Sequence, residues 1–324
     1  MASKPDEVRD GVELTNLDQP LFDGAGATKR DLIDYLDAMA DRLLPGLEDR
    51  PLSVIRVHRG QEAFMQKNVP SYAPDFVRTV ELWAETSRRE VAYALCNDRR
   101  TLLWFGNQRA VEYHPALVRV DRLDRMTHLV LDLDPPAGGD SFPAAVAAAR
   151  LVRQALDDVG LAGAVKTSGS KGLHVFVPIE RRLTMEDAAA ATRAIAARAA
   201  ALDPAVATTE FVKDERGGKV FVDATRVGSA TVVAAYSPRV RPGVPVSFPV
   251  AWEDLDELTL ADFTIRNVPD LLDRRDPWAE AMPAPQRVPA ELIEEGAAIP
   301  AGRVAAMHEG KRRAAAARKA AAGG

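Results

Sequence analysis

The spacing of apolar and polar positions divides this chain into helical, strand-like and irregular segments. Over residues 27–47, ATKRDLIDYLDAMADRLLPGL, the apolar positions Leu32, Ile33, Leu36, Met39, Leu43 and Leu44 recur at helical spacing behind Thr28. Pro45-Gly46 then ends the pattern, so one amphipathic helix with Thr28 as N-cap is predicted. Runs rich in β-formers at 52–58, 100–106 and 128–134 predict strands. Two further helices are predicted, over 141–160 from Ser141 to Gly160 and over 184–202 behind a Thr184-x-x-Asp187 start. Short strands are expected at 172–179, 218–224 and 230–237. Strands and helices mix without regular βαβ alternation, which predicts an α+β fold with mixed or antiparallel sheets.

Proline-rich residues 238–287 predict an irregular wrap over the core, with one short helix near WEDLDEL. Residues 288–324 are Ala-rich and basic, and read either as a solvated tail or as an arm for nucleic acid or a partner. The net charge is −5, but from residue 303 onward the balance is +5, leaving −10 on the remainder. Overall charge therefore does not exclude a polyanionic partner, because a basic groove can coexist with an acidic surface. The single cysteine, Cys96, excludes an intramolecular disulfide, and the five histidines lack zinc-ligand spacing. No run approaches the ~20 apolar residues that span a bilayer, and no signal peptide is evident at the start. A cytoplasmic protein with no membrane partner is expected.

The chemistry lies at the ends of strands. In LVLDLDPP, side chains alternate faces, so Asp132 and Asp134 share one face while Leu131 and Leu133 take the other. Two close carboxylates resist joint ionisation unless a cation sits between them, and hard divalent metals favour such oxygen ligands. An Asp-Pro turn is the plainer reading of the same string. In KTSGSKGLH, Gly169 and Gly172 interleave with Ser168, Ser170 and Lys171, a loop able to turn N–H groups towards an anion, though without Walker spacing. His174 follows on the strand face opposite Leu173 and Val175. A third acid, Asp223, ends KVFVD, and Arg239 and Arg241 lie in a turn beyond it. Carboxylates for cations, with Lys, His and Arg for a triphosphate, are the inventory of nucleotidyl transfer.

At these residues the sequence resembles the archaeo-eukaryotic primase-polymerase superfamily, specifically the polymerase domain of bacterial DNA ligase D and its stand-alone relatives. The matching stretches run from about residue 14 to about 280: LTNLDQPLF, TKRDLIDYL, FMQKN, VEYHP, LVLDLDPP, KTSGSKGLH, KVFVD and YSPR. The resemblance implies a primase-like catalytic core with an RRM-like sheet over 126–240, an N-terminal α/β portion over 1–125 and the wrap over 241–287. It implies template-directed extension of primers and filling of short gaps in gapped or nicked DNA during non-homologous end joining, favouring ribonucleotides. Asp132, Asp134 and Asp223 are then the catalytic ligands of two divalent ions, Mn²⁺ or Mg²⁺. His114, Ser168, Lys171, His174 and Arg239 contact the NTP or dNTP. Asn16 and Lys29 match residues that hold a downstream DNA 5′-phosphate, with Gln19 standing where the family has a second lysine. Of an aromatic pair at the templating base, Phe64-Met65 keeps one ring.

The chain lacks a Lys-x-Asp-Gly ligase motif. A stand-alone, monomeric, nucleoid-associated polymerase is expected, working with a separate ligase and an end-binding factor. Two other readings are kept: a haloacid-dehalogenase-like phosphatase, which also places Asp-x-Asp after an apolar strand, and a non-catalytic DNA-end-binding module.

Overall fold

The computed structural model describes residues 5–300 apart from 59, 85–87, 139–140 and 228–230. The basic stretch from 301 lies outside the described residues. The N-terminal part comprises β1 (Glu7–Arg9), β2 (Val12–Leu14), α1 (Lys29–Ala38), α2 (Ala40–Leu47), β3 (Leu52–Arg56), β4 (Phe64–Gln66), β5 (Thr79–Ala84), β6 (Arg89–Ala94), α3 (Arg99–Asn107) and β7 (Ala110–Pro115). Strands β4, β3, β6 and β5 form an antiparallel sheet, with β7 also paired to β3.

The helix expected over 27–47 forms as two. Thr28 and Asp31 make a reciprocal capping box at the start of α1, a device worth about 1 kcal/mol. Met39, at φ −96° and ψ 1°, then ends α1 and begins α2. The strand expected at 100–106 is instead helix α3. Asp98 accepts the Thr101 amide at 2.7 Å as its N-cap, and Leu102, Leu103, Trp104 and Phe105 are all buried. A short continuous apolar run does not distinguish a buried strand from a helix enclosed on several sides. Gly106 fits this packing because a Cβ there would lie 2.7 Å from Leu36 Cδ1 of α1.

The second part contains β8 (His128–Asp134), α4 (Phe142–Asp157), β9 (Ala164–Thr167), β10 (Leu173–Pro178), α5 (Met185–Leu202), β11 (Ala207–Thr208), β12 (Val220–Asp223) and β13 (Pro249–Val250). Its six strands lie in the order β11-β12-β8-β10-β9-β13, antiparallel except between β11 and β12. Helices α4 and α5 pack against this sheet. Leu129, Leu131, Leu133, Val175 and Val177 are buried completely and alternate with the polar residues of the opposite face.

Residues 231–237 do not form the expected strand, because their N–H groups divide between two partners. Val232 and Ala234 donate to Pro115 and Tyr113 of β7, whereas Tyr236 donates to Ser247. WEDLDEL forms turns, not a helix. Glu253 and Asp256 pair with Arg153 and Arg150 of α4, tethering the segment. Helices occur further on as α6 (Val268–Leu272) and α7 (Pro277–Ala281).

Within the stretch from 288 onward, α8 (Ala290–Ala298) forms and packs on α5. Arg198 Nη2 lies 2.5 Å from Glu295 Oε2, and a Cβ at Gly296 would meet Ala190 O at 1.8 Å. Only glycine permits that approach. No helix among the described residues is long and apolar enough to cross a membrane.

Candidate active site

Strand register builds the site. Asp223 of β12 lies opposite Asp132 of β8, Asp132 opposite His174 of β10, and His174 opposite Lys166 of β9. Four polar side chains thus form one row across four strands, on the face turned away from α4 and α5. Arg226, three residues beyond Asp223, folds back onto the row. Its Nε and Nη2 lie 2.9 and 2.8 Å from Asp132 Oδ2, and Nε lies 3.3 Å from Asp223 Oδ2. Asp223 Oδ1 accepts the amide and hydroxyl of Thr225 at 2.7 and 2.6 Å.

The charges respond as this geometry requires. Burial would raise the Asp132 carboxyl, but His174 and Arg226 hold it far below the usual range. Asp134, two residues along the same face, is pushed up by burial and by Asp132. Burial and Lys166 push His174 down to about 4. Burial and Arg239 push Lys166 well below an ordinary lysine. Among the described residues, no three Asp, Glu, His or Cys side chains stand close enough to hold an ion by themselves. The donor set nonetheless fits a hard divalent cation: two carboxylates already share one cationic group, and a third resists ionising because it is buried beside Asp132.

The loop between β9 and β10 closes on the end of β8. Gly172 is required there, as a Cβ would lie 2.1 Å from Leu133 O. Gly169, at φ +65°, sits against Arg239 and Ser247. Two of the loop amides turn inward: Ser170 and Gly172 donate to Ser168 Oγ, each at 3.2 Å. Ser168 is buried, whereas Lys171 is exposed and reaches Pro135 O at 3.1 Å, beside Asp134.

A second cluster joins the two sheets. Glu112 and His114 share one face of β7, with His114 Nε2 2.9 Å from Glu112 Oε2. Arg239 Nε lies 3.1 Å from the same oxygen, and Arg239 Nη1 donates to Ser168 O. The Val240 amide donates to Glu112 Oε1 at 2.8 Å. Burial would raise Glu112, but His114 and Arg239 bring it down to about 2. His114 is therefore placed through Glu112 and Arg239, one layer away from the carboxylate row. Arg241 is exposed in the turn beyond.

The N-terminal candidates lie apart. Asn16, at φ +56°, is exposed and accepts from Gln19 at 3.2 Å. Lys29 is buried and donates to Thr15 O and Asn107 Oδ1, both at 2.6 Å. Phe64 is 38% exposed beside Met65, and His58 stacks on it at 5.3 Å with planes 18° apart. The ring stacked on Phe64 is thus an imidazole two residues beyond β3, not a neighbour in β4.

Sequence reasoning missed Arg226, Lys166, Ser247 and Glu112. Lys166 stands in the quoted KTSGSKG stretch, where its strand register opposite His174 was the available signal. Arg226 comes from a turn, whose spacing carries no such register, and Ser247 from the short extended stretch before β13 in the proline-rich wrap.

The fold and this constellation of acids, His, Lys and Arg define a nucleotidyl-transferring polymerase domain. Residues 28–278 match the family model "LigD, primase-polymerase domain", and the chain belongs to that family. It is 34% identical over 297 residues to the bifunctional non-homologous end joining protein LigD of Bacillus subtilis, covering 90% of this chain and 47% of that protein. Against the multifunctional non-homologous end joining DNA repair protein LigD of Mycobacterium tuberculosis (strain H37Rv), identity is 32% over 283 residues, 82% of this chain and 37% of the relative. The chain thus spans less than half the length of these relatives. A solved polymerase domain from Mycobacterium tuberculosis ligase D in complex with DNA superposes with a TM-score of 0.76 at 30% identity, over 89% of this chain and 99% of that one. The phosphatase reading falls with the family membership.

Proposed function

We propose that this chain extends DNA 3′ ends across short gaps in end joining, favouring ribonucleotides, with Asp132, Asp134 and Asp223 holding two divalent ions, Mn²⁺ or Mg²⁺. The observation that carries this reading is the register that sets Asp132 opposite Asp223, both carboxylates turned to one guanidinium. Bound divalent ions supply alignment of the attacking hydroxyl and stabilisation of charge on the transferring phosphoryl group. Lys171 and Arg239 are cations flanking the row, suited to neutralising a triphosphate from opposite sides of the β9–β10 loop. Ser168, His114 and His174 complete the nucleotide contacts, with His114 oriented by Glu112.

A cleft of about 530 Å³, lined by residues that include Gln19, Phe22, His58, Arg109 and Val240, runs between the N-terminal loop and the segment beside Arg239. It supports a DNA path from Phe64, at the templating base, towards Asn16 and Lys29 at a downstream 5′-phosphate. A DNA ligase seals the product, and an end-binding factor delivers the break. The experiment is extension of a gapped primer-template with Mn²⁺ and either NTPs or dNTPs. Template-directed addition, faster with NTPs and absent in Asp132→Ala and Asp223→Ala, is expected. Undiminished extension by both variants would overturn the assigned site.

A further inference from the structure

Lys166 is a fully buried lysine to which the reaction as described assigns no task. Its Nζ donates to Ser247 Oγ at 2.5 Å and lies 2.8 Å from His174 Nδ1, with the Phe176 ring centroid 5.4 Å away. Ser247 Oγ donates its own proton to Thr167 O at 2.7 Å, so towards Lys166 it is an acceptor. At the other side of the imidazole, Nε2 lies 3.3 Å from Asp132 Oδ1. Burial and the adjoining Lys166 both oppose a second proton on the ring, so the imidazole is neutral. A neutral ring with its proton on Nδ1 would confront the carboxylate with a lone pair. One arrangement satisfies both ends: Nδ1 accepts from Lys166, and Nε2 carries the proton.

We propose that Lys166, seated by Ser247, is a positioning residue that locks His174 as the Nε2–H tautomer, a fixed hydrogen-bond donor directed at Asp132 and available to the phosphate oxygens of an incoming nucleotide. Asp132 meets the ring only through Oδ1, at 3.3 Å, while Arg226 holds Oδ2, so the 2.8 Å contact with Lys166 is the closer of the ring's two partners. Lys166 acts from the fully buried side of the ring, and Gly169 against Ser247 N and Arg239 keeps the β9–β10 loop pressed on the same seat. The phosphate half of the inference rests on the polymerase reading; the tautomer half does not.

The test is a long-range ¹H–¹⁵N correlation spectrum of the ¹⁵N-histidine protein without nucleotide, the His174 signals assigned by their loss in His174→Asn. The wild type is expected to show Nε2–H with an unprotonated Nδ1, and a wild-type Nδ1–H signal would overturn the proposal without recourse to any variant. Lys166→Met is expected to populate Nδ1–H and to raise the KM for NTP about tenfold while kcat changes less than threefold; an unaltered tautomer in this variant would also overturn it. Ser247→Ala, a smaller change, is expected to mix the tautomers with the fold intact, and a spectrum identical to wild type would count against the seat. If the tautomer is as described but the wild type extends no primer, the polymerase reading fails and the lock stands.

Discussion

The row across β12, β8, β10 and β9 and the N-terminal loop around Asn16 each bury a lysine, with opposite consequences. Lys166 is 0% exposed and Lys29 is 3% exposed. On the sheet, a two-residue period and a fixed register give Lys166 no choice of neighbour, and it becomes one member of a chain of charges that ends at two carboxylates. At the first residue of α1, Lys29 folds inward onto Thr15 O, in the loop that carries Asn16, and onto Asn107 at the end of α3. On a paired strand the register sets a side chain's neighbours, whereas at a helix start the side chain takes the acceptors that the preceding loop presents.

If that contrast holds, damage to the sheet row is the most severe. Asp132→Ala or Asp223→Ala is expected to lower the rate of gap extension by about 10³-fold or more, the scale of losing a principal electrostatic element in phosphoryl transfer. Single-turnover extension at saturating nucleotide measures it, with circular dichroism to confirm folding. A loss under tenfold in both would show that the register does not define the reacting centre.

The Glu112 cluster tests whether the two sheets are held together by charge. Glu112 has a folded pKa of about 2 against an ordinary 4.5. A depressed carboxylate contributes stability that is fully present above the unfolded value and is lost as pH falls through the folded one. The window is therefore pH 4.5 down to 2, and the contribution is about 3 kcal/mol. Glu112→Gln should be less stable than wild type at pH 7, and the difference should shrink by that amount on going to pH 2. Urea unfolding at both pH values decides it; a constant difference would mean that His114 and Arg239 gain nothing from the carboxylate.

The same contrast explains what the sequence made legible. β8, β10 and β12 were readable because apolar residues alternate with Asp132, His174 and their neighbours, and alternation fixes faces. Thr28 and Thr184 were readable as caps because an acid follows each three residues later. Residues 100–106 misled because Leu-Leu-Trp-Phe is apolar on every side, so neither period is visible; the Asp98 cap was the only clue. Residues 231–237 misled because β-propensity does not reveal that a segment's amides divide between β7 and Ser247. Arg226 was illegible because its place depends on how a turn folds back, which local pattern does not encode.

Phe64 lies between the two cases, on a short strand but exposed. Stacking with a base is worth ~1–3 kcal/mol, so Phe64→Ala should weaken binding to a templating overhang by about tenfold. His58→Ala, removing the ring that stacks on it, should cost less, about threefold, by loosening the platform rather than deleting it. Fluorescence anisotropy with a labelled overhang measures both. Equal losses would make His58 a direct partner of the base and extend the strand-like precision of β4 to the residues beyond β3.

The smallest effect is expected at the start of α1. To meet a downstream 5′-phosphate, Lys29 must leave Thr15 O and Asn107 Oδ1, each bond worth about 1 kcal/mol net, in return for a charged contact worth about 1.5–3 kcal/mol. The balance predicts that phosphorylating the downstream strand tightens binding by about fivefold or less, and that Lys29→Met abolishes the gain. Burial, with Arg109 adding to it, pushes Lys29 down to about 8, so its charged form predominates below that pH and is lost above it. The phosphate advantage should therefore be present at pH 7 and fade by pH 9, read as the ratio of Kd values for phosphorylated and unphosphorylated gaps. An advantage that survives in Lys29→Met, or that is unchanged at pH 9, would move the phosphate site away from Lys29. A tenfold or larger advantage lost in that variant would show that the start of α1 positions its lysine as firmly as the sheet does.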